Sequence, residues 1–168
     1  IQAHMQKNHP HVKVHFVEQP DKKGQSDALW HAREYLSGEA LVLFSDTLID
    51  SDFSFLAEAQ EQAIAWVKAV PDPRRFGVAE VDSRGQVLSL IEKPNDMNNN
   101  LAVVGCYYFP HGSKLIAAIE EQVKRNISLK GEYNLEDAIN LMLEKNLPMR
   151  IEQLKTWVDA GPSETLLD

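Results

Sequence analysis

The stretch Ala40-Leu-Val-Leu-Phe-Ser-Asp46 joins a short, continuous apolar run to a single carboxylate. Such a run predicts a buried strand, and in open α/β sheets ligands bind just beyond the carboxyl ends of the strands. Asp46 is therefore predicted to lie where a metal ion or a polar substrate would bind. A simpler interpretation is that Asp46 only caps the following turn, a position that Asp favours in any protein.

The composition limits the class of protein. A chain of 168 residues has the size of one domain and buries about 70% of its unfolded surface, so it needs no disulfides. Its formal net charge of −8 argues against a nucleic-acid surface, which requires clustered excess Lys and Arg. No apolar run approaches the length of a membrane span, and no charged-then-apolar leader is present. We therefore expect a cytoplasmic protein without membrane contact.

Local positive charge is found at Lys22-Lys23, Arg74-Arg75 and Lys93. Each lies near a loop or a strand end, which suits a small anionic ligand better than a polymer. Ordinary solvated charge is the alternative for the two doublets. The single cysteine, Cys106, lies in an apolar run and is predicted to be a buried, reduced side chain, because no motif places a base beside it.

Upstream of the central run, residues 1–8 predict the end of a helix, and residues 11–19 alternate apolar and polar side chains as in a strand. A charged loop with Gly24 then leads into an amphipathic helix over residues 26–36. The start of that helix offers free N–H groups to an anion or to a nucleobase edge. Four histidines in this part are interpreted as solvated rather than metal-binding, because no repeat aims them together: His4, His9, His11 and His15.

Downstream, residues 78–82 and 86–92 flank Ser83-Arg-Gly85, a glycine-containing connection typical of a hairpin. The second arm ends on Glu92-Lys93-Pro94, so that a carboxylate and an ammonium group emerge together where proline stops further pairing. End-of-strand surface charge is the alternative interpretation of this pair.

The remaining pattern predicts three helices and three strands, at residues 51–62, 113–124 and 134–144 and at residues 63–70, 102–109 and 149–154. In the last helix, Asn134 is expected to cap the start and Asp137 to complete a capping box. The segment Trp157-Val-Asp159-Ala-Gly161 follows, and it is the second place where a strand ends on an acid.

These motifs together resemble the sugar nucleotidyltransferases, also called nucleoside-diphosphate-sugar pyrophosphorylases, such as the glucose-1-phosphate thymidylyl- and uridylyltransferases. The matching segments run in the family's order along almost the whole chain: Gln19 with Gly24, Asp46, Phe76-Gly77-Val78, Glu92-Lys93-Pro94, Val104-Gly105-Cys106-Tyr107, Gly131-Glu132 with Asp137, and Trp157-Val-Asp159-Ala-Gly161.

The resemblance implies an α/β fold of the nucleotide-diphospho-sugar transferase type. Its sheet is Rossmann-like, mixed and largely parallel, with helices on both faces and a hairpin at residues 78–91, and residues 1–168 form one domain. The implied reaction joins a nucleoside triphosphate and a sugar-1-phosphate, giving a sugar nucleotide and pyrophosphate. Asp46 and Asp159 would hold Mg²⁺, and Lys93 would hold the acceptor phosphate.

The resemblance also assigns substrate contacts. Gln19 and Gly24 would contact the nucleobase, whereas Gly77 and Glu92 would contact the sugar. The other expected substrate-binding residues belong to the sugar-side strand and to the last motif: Val104, Gly105, Tyr107 and Trp157.

Two departures from the family pattern qualify these expectations. The family's opening glycine-rich phosphate loop is absent, so we expect the carboxy-terminal part of a longer, N-terminally truncated domain that is inactive by itself. We also expect a homo-oligomer or a clipped product, because apolar strand edges near Leu43 and Val17 would be exposed. The second departure is Ser45, which stands where the family has glycine before the aspartate.

Two other functions remain open from the sequence. Domains of this kind also serve as non-catalytic modules that sense nucleotide sugars, although the retention of Asp46, Lys93 and Asp159 favours an enzyme. A metal-dependent glycosyltransferase of similar architecture would use an Asp-x-Asp motif, and Asp50-Ser-Asp52 has that form.

Overall fold

The computed structural model describes residues 1–58 and 61–161. Four α-helices are formed there: α1 (Gln2–Asn8), α2 (Gln25–His31), α3 (Gly112–Lys124) and α4 (Leu135–Glu144). Eight strands are formed: β1 (Ala40–Leu43), β2 (Thr47–Asp50), β3 (Ala63–Ala69), β4 (Gly77–Val81), β5 (Val87–Glu92), β6 (Leu101–Phe109), β7 (Met149–Gln153) and β8 (Thr156–Asp159). Within these ranges no helix has both the length and the apolar content needed to cross a membrane.

Six of the strands form one sheet in the order β5-β4-β6-β3-β7, with β1 paired to β6, and β2 pairs with β8 in a separate ribbon. The predicted mixed α/β sheet is confirmed. The sheet was expected to be largely parallel, but among the described strands only β3 and β7 pair in parallel. The reason is geometric. Strands β1, β3, β4 and β7 share one direction, but the oppositely directed β6 lies between them and pairs with three of them.

The two faces of the sheet are covered differently. Side chains of β3 alternate between the faces, with Ala65 and Val67 towards one and Ile64 and Trp66 towards the other. The first face packs against α3 and α4. The second face packs against β2 and β8 and a 3₁₀ helix at Ser54–Glu58, so the expected α-helices on both faces are found on one face only among the described residues.

The predicted helix at residues 51–62 is formed only as that 3₁₀ helix, and residues 59–60 lie outside the described residues. The helix predicted over residues 26–36 divides into α2 and a 3₁₀ segment at Arg33–Tyr35. The hairpin formed by β4 and β5 and the strands β3, β6 and β7 follow the sequence prediction.

The strand predicted at residues 11–19 is wrong, since this segment forms no ladder with the described residues. Alternation alone does not make a strand, because a strand is stable only beside a hydrogen-bonding partner. Val12, Val14 and Phe16 are therefore exposed. Leu43 and Val17 are exposed as well, by 52% and 42%, as expected for apolar side chains near an uncovered strand edge. The prediction that β1 is a buried strand is wrong. Only Ala40 of this strand is buried, because the described residues do not cover the face that carries Leu41 and Leu43.

The start of α4 also differs from its prediction. Asn134 occupies the cap position, but its side chain makes no capping hydrogen bond. Its backbone carbonyl instead accepts hydrogen bonds from Ser26 Oγ at 3.1 Å and Gln122 Nε2 at 2.8 Å. These buried bonds tie the starts of α2 and α4 together and to α3. The cysteine prediction is confirmed, because Cys106 is buried and burial raises the pKa of its thiol to about 12.

Candidate active site

An open cavity of about 580 Å³ lies where the ends of several strands meet. Its walls come from the turn between β1 and β2, the end of the β4–β5 hairpin, the middle of β6 and the end of β8. Nine of the eleven predicted site residues line it: Asp46, Gly77, Glu92, Lys93, Val104, Gly105, Tyr107, Trp157 and Asp159.

The two strand-end acids meet in this cavity. The antiparallel pairing of β2 with β8 places Thr47 opposite Asp159, and the Ala160 N–H donates to the Asp46 carbonyl at 2.8 Å. A Cβ built on Gly161 would lie 3.1 Å from Asp46 Oδ2 and 3.2 Å from Asp159 Oδ1. The two carboxylate oxygens therefore lie less than ~8 Å apart. Within that distance, one hexacoordinate cation can bind both carboxylates, either directly or through a bridging water.

This pair fits a magnesium ion. Mg²⁺ takes oxygen ligands and usually keeps several waters, and it is commonly bound by one or two carboxylates together with substrate phosphates. The part of the chain that the structure describes contains no group of three or more His, Cys, Asp or Glu side chains arranged as a metal site. A cation here would therefore take most of its ligands from water and from a phosphate-bearing substrate.

The Thr47 side chain fixes the turn that carries Asp46. Its hydroxyl donates to the Val104 carbonyl at 2.6 Å, and the Phe44 N–H donates to the Gly105 carbonyl at 2.8 Å. Gly105 has φ +70°, and a Cβ there would lie 2.5 Å from the Phe44 ring. A glycine is therefore required for β1 and its acid-bearing turn to approach β6 this closely.

Glu92 and Lys93 also line the cavity, at the end of the β4–β5 hairpin. Gly77 pairs with Glu92 across the hairpin, and Lys93 Nζ lies 3.1 Å from Glu92 Oε1. The Lys93 side chain is 60% exposed, and its backbone has φ +48°, a strained conformation for a residue with a side chain. The Lys93 N–H donates to the Phe76 carbonyl at 3.0 Å, which holds this end of the hairpin in place. The ammonium group is thus directed into a region open to an anionic ligand.

Trp157 contributes an indole to the cavity wall. Its ring contacts the Phe76 ring edge to face, with centroids 5.1 Å apart. The Trp157 Nε1–H is buried and has no hydrogen-bond partner in the described part of the chain. A buried donor without a partner costs about 1–3 kcal/mol.

The structure does not bring Gln19 and Gly24 into the cavity lining. Gln19 Nε2 donates to the Gly24 carbonyl at 3.1 Å and to Asp27 Oδ2 at 2.6 Å, so the two residues contact each other at the start of α2. The next residue, Gln25, lines the cavity, and its Oε1 is buried without a partner among the described residues. The sequence did not single out Gln25, because an unpaired amide has no pattern of its own.

Glu136 is the second cavity residue that sequence reasoning missed. It is 5% exposed, and its Oε1 accepts a hydrogen bond from the Tyr107 hydroxyl at 3.0 Å. Burial, and then the charge of Glu92, raise the pKa of the Glu136 carboxyl to about 7. Acids are common in the first turn of any helix, so Glu136 carried no signal in the sequence.

The Asp50-Ser-Asp52 motif does not form part of the cavity. Asp52 accepts hydrogen bonds from the backbone N–H and the hydroxyl of Ser54, and these bonds lower the pKa of its carboxyl. Asp52 therefore starts the 3₁₀ helix that follows. This local role accounts for the acid without any metal.

Comparison with known proteins agrees with the resemblance. Residues 1–168 match the family described as nucleotidyl transferase. The chain is 33% identical to a bifunctional protein GlmU of Methanocaldococcus jannaschii, over 96% of this chain and 38% of the relative. It is 30% identical to a glucose-1-phosphate thymidylyltransferase of Streptomyces griseus, over 94% of this chain and 44% of the relative. The chain thus spans less than half the length of both curated relatives.

A solved structure shows the same fold. The UDP-glucose pyrophosphorylase from Acinetobacter baumanii superimposes with a TM-score of 0.72 at 25% identity. The match covers 94% of this chain and 58% of the solved chain. The mixed sheet described above is thus shared with that part of the solved pyrophosphorylase.

Proposed function

Because the chain belongs to the nucleotidyl transferase family, we propose that the intact protein transfers a nucleotidyl group from a nucleoside triphosphate to a sugar-1-phosphate. An oxygen of the sugar-1-phosphate attacks the α-phosphorus. The bond from that phosphorus to the bridging oxygen breaks, and pyrophosphate leaves. The observation that carries the proposal is that one cavity is lined both by the neighbouring acids Asp46 and Asp159 and by the ion pair of Glu92 with Lys93.

The reaction needs charge neutralisation and positioning more than covalent chemistry, because two polyanions must be brought into line. Lys93 supplies a cation for the acceptor phosphate. Its partner Glu92 uses Oε1 for that ion pair, which leaves Oε2 to accept a hydrogen bond from a sugar hydroxyl as far as the described residues are concerned. Asp46 and Asp159 would hold Mg²⁺, which would neutralise charge on the reacting phosphates when bound.

The neutral side chains of the cavity shape the sugar side. The wall against which a sugar ring would lie is formed by Gly77, Val104, Gly105, Tyr107 and Trp157. Gln19 and Gly24 lie outside this wall, at the start of α2. We assign them to the nucleobase, on the side where Gln25 reaches the cavity.

The wider setting follows from the same proposal. We place the reaction in the cytoplasm, within a single domain that includes residues 1–168. A homo-oligomer that covers the exposed apolar side chains around Leu43 stays a prediction.

Pyrophosphate release by the intact protein tests the function, with a panel of nucleoside triphosphates and sugar-1-phosphates and with Mg²⁺ present. Asp46→Asn and Asp159→Asn keep the shape of the side chain but remove the charge that a hard cation requires, so each should abolish turnover with little change in melting temperature. Asp50→Asn is the matched control, since Asp50 is an exposed acid on β2 outside the cavity.

The outcome separates the alternatives. Full activity of both Asp46→Asn and Asp159→Asn would contradict the proposed metal site. Sugar nucleotide binding without pyrophosphate release from any substrate pair would instead indicate a non-catalytic sensing module.

A further inference from the structure

Glu136 is a buried acid for which the proposed reaction has no role. It lies in the first turn of α4 and lines the cavity. It forms no ion pair within the described residues, whereas its neighbour Glu92 is paired with Lys93. An ionised carboxylate without a cation is costly to bury, so a buried group of this kind requires an explanation.

The carboxyl groups of Glu136 and Glu92 face the same small space. A Cβ built on Gly77 would lie 3.3 Å from Glu136 Oε1 and also 3.3 Å from Glu92 Oε2, and it would lie 2.9 Å from Val103 Cγ2. Gly77 therefore keeps open a space that even a methyl group would fill. Two acids border this space from different elements, β5 and α4.

The charged and titratable groups around Glu136 determine whether its carboxyl group is protonated. Glu92 faces it from β5, the Tyr107 hydroxyl from β6 and Asp137 from its own helix. Burial, Glu92 and Asp137 raise the pKa of Glu136, whereas a hydrogen bond from its own backbone N–H and one from the Tyr107 hydroxyl lower it. The resulting pKa of about 7 means that Glu136 is protonated below neutrality, where a carboxylic acid can donate a hydrogen bond.

We propose that Glu136 is a specificity-determining residue of the sugar-1-phosphate site: its carboxyl group donates a hydrogen bond to a sugar hydroxyl while Glu92 accepts one. This assignment rests on the proposed function. It selects an uncharged, hydroxyl-rich sugar, because a hydroxyl group both accepts and donates. A sugar that bears a carboxylate would add a further negative charge beside two acids in a poorly solvated space, and it is rejected.

Equilibrium binding of glucose 1-phosphate to the intact protein tests this assignment at pH 6 and pH 8. If only the protonated form binds well, the apparent affinity falls with the protonated fraction, which is about tenfold lower at pH 8 than at pH 6 for a pKa near 7. The ligand's own phosphate also titrates in this range, but that contribution is common to all variants.

Glu136→Gln keeps the shape of the side chain and a hydrogen-bond donor but cannot titrate. The tenfold change in affinity that is due to Glu136 should therefore disappear, and only the contribution of the ligand's phosphate should remain. Glu120→Gln removes an exposed acid of α3 and should bind like the wild type. Tyr107→Phe removes the hydrogen bond that lowers the pKa of Glu136, so the pH dependence should move to higher pH. If Glu136 had a purely structural role, Tyr107→Phe would not shift the pH dependence of glucose 1-phosphate binding.

Glucuronic acid 1-phosphate is the second ligand. The wild type should bind it at least tenfold more weakly than glucose 1-phosphate, and Glu136→Gln should narrow that gap. Equal binding of both sugars by the wild type, no binding of glucose 1-phosphate, or an unchanged pH dependence in Glu136→Gln would each overturn the assignment.

The assignment and the proposed function fail in different ways. A pH dependence that Glu136→Gln abolishes, in a protein that releases no pyrophosphate, supports the assignment and contradicts the proposed function. Pyrophosphate release with the same pH dependence of binding in both proteins supports the function and overturns the assignment.

Discussion

The protonation of Glu136 should be visible in the stability of the protein without any ligand. Burial and Glu92 raise the pKa of its carboxyl from an ordinary 4.5 to about 7 in the folded protein. The folded state then holds a proton that the unfolded state has released across this interval. Stability contributed by this proton is therefore present below pH 4.5 and is lost as the pH rises through about 7.

The size of the effect follows from the shift. One pKa unit corresponds to 1.36 kcal/mol, so the free energy of unfolding should fall by about 3 kcal/mol across this window, as an order of magnitude. Acids with lowered pKa, such as Asp72 and Asp82, act in the opposite direction at lower pH. Both acids are common to wild type and variant, so a difference between the two proteins cancels their contribution.

Urea unfolding at several pH values from 5 to 8 measures that difference, with wild type, Glu136→Gln and the exposed control Glu120→Gln. The wild type should lose stability relative to Glu136→Gln as the pH rises, by up to about 3 kcal/mol, whereas Glu120→Gln should follow the wild type. Parallel curves for wild type and Glu136→Gln would refute the reasoning, because they would show that Glu136 is ionised throughout.

Three further outcomes are expected. Lys93→Ala should weaken sugar-phosphate binding by roughly 1.5–3 kcal/mol and leave triphosphate binding unchanged, as measured by calorimetry. Lys124→Ala, at an exposed lysine, is the control. Equal losses of affinity for both ligands would contradict this prediction. Gly24→Ala should lower the free energy of unfolding, measured by chemical denaturation, by about 1–3 kcal/mol. The reason is that Gly24 has φ +95° and that a Cβ there would lie 2.5 Å from the Tyr133 carbonyl oxygen. Gly38→Ala is the control, because a Cβ on Gly38 meets no atom within 4 Å. The 168-residue chain by itself should release no pyrophosphate, and turnover by a sample of verified mass would show otherwise.

The sequence was most informative where a strand ends on a charged residue. Glu92 and Asp159 are the last residues of their strands, Lys93 comes directly after Glu92, and Asp46 follows β1. Strand ends meet at the edges of sheets. These residues do line one cavity. The prediction was possible because each signal is local and the strand direction carries the side chain to the edge.

The features that the sequence left open depend on contacts between distant segments. The direction of β6 relative to its neighbours has no signature in its own residues, so the balance of parallel and antiparallel pairs was misjudged. Residues 11–19 have the alternation of a strand but no partner in the described chain. Glu136 acquires its altered pKa only from Glu92 and from burial, and Glu92 lies 44 positions away in the sequence.

The most direct test of the central claim is a crystal structure of the intact protein with a sugar nucleotide and Mn²⁺, whose anomalous scattering locates the ion. We expect the Mn²⁺ peak at about 2.1–2.3 Å from carboxylate oxygens of both Asp46 and Asp159, with the sugar in the same cavity and in contact with Gly77 and Glu92. A peak at Asp50 and Asp52, or a sugar nucleotide bound outside this cavity, would contradict the account.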